Sequence, residues 1–207
     1  MTVLKKYFKR GDDRGFTLVE LLIVIGLLGA IALIVIAAIN PIEQANRARD
    51  TRFKADGAQL ISAIDRYFAV RSEFPWVTSG FAADNDAIYG FITASDEGIG
   101  ICGADCNTDG SLITNDELKP EFRNRDFAQK GGGGDETKKM YIGKASGTSE
   151  SVYVCFIPMS KATRQKSCSE DNVYTILGVA RTVVPEASCS DTSQNWVTNA
   201  WYVCIPE

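Results

Sequence analysis

The most uneven feature of this 207-residue chain is a block of apolar residues near its N-terminus. Residues 21–39 read LLIVIGLLGAIALIVIAAI and contain no charged side chain. As a helix with a rise of about 1.5 Å per residue, such a segment nearly spans a hydrocarbon layer of about 30 Å. The pattern therefore predicts an apolar, membrane-spanning helix over residues 16–39.

The pattern changes after Asn40 and Pro41. Proline removes a helical hydrogen bond, so a break or kink is expected at this point. From residue 42 to about 72, apolar side chains recur at helical spacing and form a stripe made of Phe53, Gly57, Leu60, Ile61, Ile64 and Phe68. This periodicity predicts an amphipathic helix over residues 40–73, half-buried against a sheet and ended by Pro75.

The remaining residues, 74–207, predict a small globular head. Residues 76–140 are rich in glycine and polar residues and include a tetraglycine at 131–134, so we expect them to form mostly loops. Three later segments, rich in β-branched and aromatic residues, predict strands at residues 151–157, 173–180 and 200–205. The predicted fold class is α+β: a long N-terminal helix, membrane-spanning in its first half, packed on a small antiparallel β-sheet head.

Charge and composition narrow the class of function. The first fifteen residues hold five basic and two acidic side chains, a net +3, so the rest of a chain of charge −4 carries −7. An acidic body does not favour general nucleic-acid binding, although a local basic patch stays open. The chain has no histidine, which removes Ser-His-Asp and Cys-His catalysis, and it has no phosphate-binding glycine loop. We therefore expect a protein that is not an enzyme.

The basic residues precede the apolar segment. By the positive-inside rule, the N-terminus stays in the cytoplasm and the chain after Asn40 lies outside. A secretory signal peptide cut after residues 30–32 is one alternative, but its product would begin with an exposed apolar run. A plain uncleaved anchor is a better alternative, yet it leaves Gly15 and Glu20 unexplained. A carboxylate near the start of a helix is favourable, but within hydrocarbon it costs several kcal/mol unless it finds a partner.

Residues 15–22, GFTLVELL, after a short basic leader, resemble the signature of type IV prepilins and type II secretion pseudopilins. The resemblance extends from residue 10 to about 75. It implies that prepilin peptidase removes residues 1–15 as a cytoplasmic leader, cutting between Gly15 and Phe16, and then N-methylates Phe16. It also implies that Glu20 assists assembly by pairing with the N-terminal amine of a neighbouring subunit, which neutralises both charges.

The resemblance further implies a structural subunit of a type IV pilus or pilus-like filament, polymerised with itself or with related chains. The precursor is expected to cross the cytoplasmic membrane once, and the assembled filament is expected at the cell surface or outside the cell. Implied partners are prepilin peptidase, an assembly platform protein and, indirectly, an assembly ATPase. A secretion or DNA-uptake pseudopilus stays open, as does nucleic-acid binding. The alternative is a monomeric, membrane-anchored extracellular module that binds calcium or acts in adhesion.

A second motif predicts a metal site in the head. Residues 105–116 read DCNTDGSLITND, which begins like a calcium loop: oxygen ligands alternate along the chain, and a glycine at position 110 permits the sharp turn. The predicted calcium ligands are Asp105, Asn107, Asp109, the carbonyl of Ser111, and Asp116. No clear helix precedes this loop, and an aspartate replaces the usual final glutamate. A metal-free, acidic Asn/Gly-rich turn is therefore the alternative.

Six cysteines follow the apolar segment, at positions 102, 106, 155, 168, 189 and 204. An even number beyond a membrane anchor fits disulfides in an oxidising compartment, with buried free thiols as the alternative. We predict a sequential pairing, Cys102–Cys106, Cys155–Cys168 and Cys189–Cys204. The last pair is the one that resembles the C-terminal disulfide loop of many type IV pilins.

Overall fold

The structure is a computed structural model that describes residues 15–38, 40–104, 106–128, 134–178, 180–191 and 193–206. Nearly all of the predicted leader peptide, residues 1–14, lies outside the described residues. The chain divides into two compact units, residues 1–42 and residues 43–207, and each is described by itself.

The first unit contains α1, a helix over Leu18–Ala38. After Glu20 this helix holds only apolar residues and glycine, so it is apolar on every side. The window Leu18–Ile36 has a mean hydropathy of 3.0, and none of it is buried. Among the described residues it is the one helix long and apolar enough to span a membrane.

Helix α2 covers Pro41–Arg71. Proline is well placed as its first residue, because the N–H that it lacks would have no partner within the helix there. The predicted apolar stripe faces the interior of the second unit, where Leu60 and Ile64 are fully buried. Gly57 allows the helix to approach the sheet closely, since a Cβ at this position would stand 2.6 Å from the Cδ1 of Ile205.

One antiparallel sheet of six strands packs against α2, in the order β1-β2-β3-β6-β4-β5. The strands are β1 Tyr89–Thr93, β2 Met140–Lys144, β3 Val152–Phe156, β4 Tyr174–Leu177, β5 Ala180–Val183 and β6 Trp201–Ile205. The sheet is curled, and the N–H of Phe91 on β1 donates to the carbonyl of Gly178, beyond the end of β4, at 2.7 Å. The predicted α+β fold, with a helix packed on an antiparallel sheet, is confirmed.

The positions of the strands are only partly as predicted. Segments 151–157 and 200–205 contain β3 and β6. Segment 173–180 is not a single strand, because Gly178 has a φ of +60° and the chain turns there from β4 towards β5. The stretch 76–140, predicted to be rich in loops, also contains the unpredicted strand β1, and β2 begins at its end.

Short helices complete the second unit: α3 Pro75–Thr78, α4 Ser111–Thr114, α5 Lys161–Ser169 and α6 Glu186–Cys189. Buried residues form two apolar clusters. One lies between α2 and the sheet, where the ring centroids of Phe53 and Phe156 are 5.5 Å apart. The other contains Trp196 and Trp201 together with the disulfides near α5 and α6.

Two of the three disulfides of the head are nested, so the pairing is not fully sequential. The bonds are Cys102–Cys106, as predicted, Cys155–Cys204 and Cys168–Cys189. The predicted pairs Cys155–Cys168 and Cys189–Cys204 are therefore wrong. Cys155 and Cys204 lie directly opposite each other on β3 and β6, with their Cα atoms 4.0 Å apart. The pairing follows from which strands are neighbours, and this is a property of the fold that chain order does not reveal.

Candidate functional site

The bond predicted to be cut lies in exposed chain ahead of α1. Residues 15–17 belong to no helix or strand, and the side chain of Phe16 is 82% exposed. Within the described residues, no other part of the chain lies within 4 Å of the position that a Cβ on Gly15 would take. In the described part of the chain, the peptide bond between Gly15 and Phe16 is thus open to a peptidase.

Glu20 forms a capping box with Thr17 at the start of α1. Its carboxylate accepts a hydrogen bond from the N–H of Thr17 at 3.0 Å and another from the Thr17 hydroxyl at 2.8 Å. In return, the N–H of Glu20 donates to the Thr17 hydroxyl oxygen at 3.2 Å. Thr17 is the N-cap residue and Glu20 the third residue of the helix, an arrangement that satisfies N–H groups left free at a helix start. Sequence reasoning looked for a partner of Glu20 in another subunit and missed this one within its own chain.

Two of the predicted calcium ligands have protein partners. The carboxylate of Asp109 pairs with Nη1 of Arg123 at 3.3 Å. The carbonyl of Ser111 accepts the N–H of Asn115 at 3.2 Å and its side-chain amide at 2.6 Å. Asp105 lies outside the described residues. Across the described ranges, no group of three His, Cys, Asp or Glu side chains is placed to hold a metal ion.

Three further residues of this loop are described. Asn107 and Asp116 are exposed, and Asp116 adopts a left-handed φ of +61° after α4. Gly110 is explained by close packing, because a Cβ there would collide with the carbonyl of Gly100, and its N–H donates to the carbonyl of Ile101 at 3.0 Å.

Calcium binding by residues 105–116 stays a prediction of the sequence, and it requires Asp109 to leave Arg123. The expected result is that calcium at about 1 mM raises the melting temperature of the full chain and that a chelator reverses the change. Arg123→Gln should enlarge the shift because it frees Asp109, and Asp109→Asn should remove it. Thermal unfolding of each protein is followed with and without added calcium, and magnesium serves as the control ion. An unchanged melting temperature in the parent chain and in Arg123→Gln would contradict the prediction.

A pair of acidic residues on α2, here called the acidic clamp, holds the start of α5; it comprises Glu43 and Asp50. The side chain of Asp50 is 1% exposed. Its carboxylate accepts hydrogen bonds from the N–H groups of Met159 at 3.0 Å and Ser160 at 2.8 Å, and it pairs with Nη1 of Arg49 at 2.9 Å. These contacts tie the segment before α5 to the long helix.

Glu43, in the first turn of α2, completes the acidic clamp. It accepts hydrogen bonds from the hydroxyl of Ser160 at 2.7 Å and from the N–H groups of Lys161 at 3.1 Å and Ala162 at 3.2 Å. Desolvation raises the pKa of Glu43, but hydrogen bonds from Ser160, Lys161, Ala162 and Arg47 outweigh it and lower the pKa to about 2. Its negative charge lies at the N-terminus of α5, where a helix dipole favours an anion.

Comparisons with known proteins bear on the N-terminal part of the chain. The family profile for the prokaryotic N-terminal methylation motif matches residues 10–36. No curated protein and no solved structure matched the chain. The matched segment contains the Gly15–Phe16 bond, the capping box with Glu20 and most of α1. Residues 10–36 therefore carry the N-terminal methylation motif, which is the signature of type IV pilins and pseudopilins, and this motif supports a pilin-like precursor of the kind that prepilin peptidase processes.

Proposed function

We propose that the chain is a structural, non-catalytic subunit of a type IV pilus or pilus-like filament, assembled through α1. The observation that carries the proposal is that the window Leu18–Ile36 is apolar except for Glu20 and that none of it is buried. So large an apolar surface has to be covered, by lipid in the precursor and by equivalent helices in a polymer. The methylation motif adds the processing step that separates this helix from its leader.

Processing also changes the charge at the start of α1. Cleavage removes a leader of net charge +3 and creates an amine on Phe16. In the filament, this amine pairs with Glu20 of a neighbouring subunit, so that both charges are neutralised where little water is present. Before assembly, the capping bonds from Thr17 give the Glu20 carboxylate a partner within its own chain.

The proposed precursor crosses the cytoplasmic membrane once, with the N-terminus inside and the head outside. Its partners are further copies of itself or related subunits, an assembly platform protein in the membrane and, through that protein, an assembly ATPase. The competing function is a monomeric anchored module for calcium binding or adhesion. The two functions predict different locations for the processed protein. A monomeric module would stay entirely in the membrane fraction, and none of it would be recovered in filaments.

The mature protein should begin at N-methylated Phe16. When the full chain is produced together with prepilin peptidase, we expect its intact mass to decrease by the mass of residues 1–15. N-methylation should then add the mass of one methyl group. Gly15→Val, which places a branched side chain beside the cut bond, should retain Met1. Mass spectrometry of membrane-extracted protein measures both. A precursor mass that does not change in the presence of active peptidase would overturn the proposal.

A further inference from the structure

The C-terminal part of the head contains an open cavity of about 450 Å³. Its wall is formed by α6, by the loop that follows α6 and by the start of β6. The residues that line it are Ala187, Ser188, Asp191, Gln194, Asn199 and Trp201. The proposed role in filament assembly uses none of these residues.

Hydrogen bonds between side chains hold the polar wall of the cavity in place. The amide of Asn199 donates to Oε1 of Gln194 at 2.9 Å, and the amide of Gln194 donates to Oδ2 of Asp191 at 3.4 Å. Oδ1 of Asp191 accepts the N–H of Ser193 at 2.9 Å. Three planar polar groups are thus oriented before any ligand arrives, which lowers the entropic cost of binding. Each has further capacity, because a carboxylate or an amide makes several hydrogen bonds.

The cavity is built on a cross-linked frame. The Cys168–Cys189 disulfide joins α6 to α5. The N–H of Trp201 donates to the carbonyl of Trp196 at 3.0 Å, and the two indole rings meet edge to face at 5.7 Å. Trp201 lines the cavity but is only 8% exposed, so a small part of its surface reaches an otherwise mainly polar wall.

We propose that this cavity binds a neutral sugar ring. Carboxylate and amide groups match neighbouring hydroxyls, which both donate and accept, and the small exposed part of Trp201 can contact the apolar C–H face of a pyranose. The volume is near the lower end of the range of ligand pockets, about 300–1,000 Å³, and suits a mono- or disaccharide.

The lining also selects against other ligand classes. Asp191 is the one charged side chain among the six lining residues, so phosphates and acidic sugars meet repulsion. A mainly polar wall does not cover the surface of a lipid or another apolar ligand. Sugar binding goes beyond assembly, because it assigns to the head a recognition function that an unassembled subunit already possesses.

The test uses the full chain in a detergent without a sugar headgroup, because a maltoside would compete. The methyl glycosides of glucose, galactose, mannose and N-acetylglucosamine are titrated and followed by saturation-transfer NMR and tryptophan fluorescence. At least one should bind with a Kd of about 1 mM. Gln194→Ala and Asn199→Ala should each weaken that binding at least about tenfold, since each removes hydrogen bonds made by the wall.

Matched controls separate the cavity from the rest of the head. Gln165→Ala, on the exposed surface of α5, should leave the Kd unchanged. Glucuronate should bind more weakly than methyl glucoside, and Asp191→Asn should reduce that difference because it removes the repelling charge. Any of three results would overturn the proposal: no saturation transfer from any glycoside at about 20 mM, an unchanged Kd in both alanine variants, or tighter binding of the acidic sugar.

Discussion

The Glu20→Gln variant should be processed and anchored like the parent chain but should yield at least about tenfold fewer filaments. Glutamine serves as the third residue of a capping box, so the start of α1 is retained. It carries no charge, however, and leaves the Phe16 amine of the neighbouring subunit unpaired among apolar helices. A loss of only 1.4 kcal/mol per contact lowers an equilibrium tenfold, and an unpaired buried charge costs more. Immunoblots of the sheared filament fraction and the membrane fraction measure the yield.

The capping bonds supply the matched control. Thr17→Val removes the hydroxyl that bonds to Glu20 and keeps the negative charge, so it should cost about 1 kcal/mol of helix stability and leave most filaments intact. Glu20→Ala loses both the charge and the cap and should be at least as defective as Glu20→Gln. Normal filament yield in Glu20→Gln would contradict charge pairing, and an equal loss in Thr17→Val would assign the effect to capping instead.

Asp50→Ala should lower the free energy of unfolding of the head by about 3–5 kcal/mol. The substitution leaves the N–H groups of Met159 and Ser160 without their acceptor in a buried place. It also removes the ion pair of Arg49, whose Nη1 then keeps only the carbonyl of Ile157 at 3.2 Å. Nη2 of Arg49 already lacks a hydrogen-bond partner among the described residues. Denaturant unfolding of the full chain in detergent measures the change. Tryptophan fluorescence reports on the head alone, because all three tryptophans lie in it.

Asp65→Ala is the control for this measurement, because Asp65 lies on the same helix and is exposed. Its removal should change the free energy of unfolding by no more than about 0.5 kcal/mol. Asp50→Asn keeps the volume of the side chain but turns an N–H₂ group towards donors. Its loss in the free energy of unfolding should therefore lie between those of Asp65→Ala and Asp50→Ala. A loss below about 1 kcal/mol in Asp50→Ala would show that the acidic clamp does not hold the start of α5.

The two long helices were predictable because their signals are local. An uncharged apolar run gives α1, and the stripe containing Leu60 and Ile64 gives α2. Strand β2 was missed, since it follows a glycine-rich stretch and ends at Lys144, a residue that indicates solvent in a strand pattern. In the structure Lys144 is buried, and its ammonium donates to the carbonyls of Asn85 at 3.0 Å and Ala145 at 3.1 Å. The sequence around Lys144 contains no pattern that predicts these carbonyl acceptors.

The candidate sites also divide into those that local sequence predicts and those that depend on residues far apart in the chain. Gly15, Phe16 and Glu20 were found because the motif that contains them is one continuous segment of the chain. The acidic clamp was missed because acids on the polar side of an amphipathic helix usually face water. The partners of Asp50 include Met159, which lies 109 residues further along the chain. The cavity near Trp201 was missed for a similar reason, since its wall combines a short helix, a loop and a strand that come together only in the folded head.

The nesting of the disulfides has a consequence for how the head matures after export. On the proposed topology, the cysteines reach the outside in chain order, so an oxidant acting on them as they emerge would join Cys155 to Cys168. The native partner of Cys155 is Cys204, which follows 49 residues later. Maturation of the head therefore needs either oxidation delayed until β6 has paired with β3 or a thiol–disulfide isomerase that reshuffles the first bond. On the proposed function, supply of subunits to the filament would then depend on thiol exchange outside the cytoplasm as well as on cleavage of the leader.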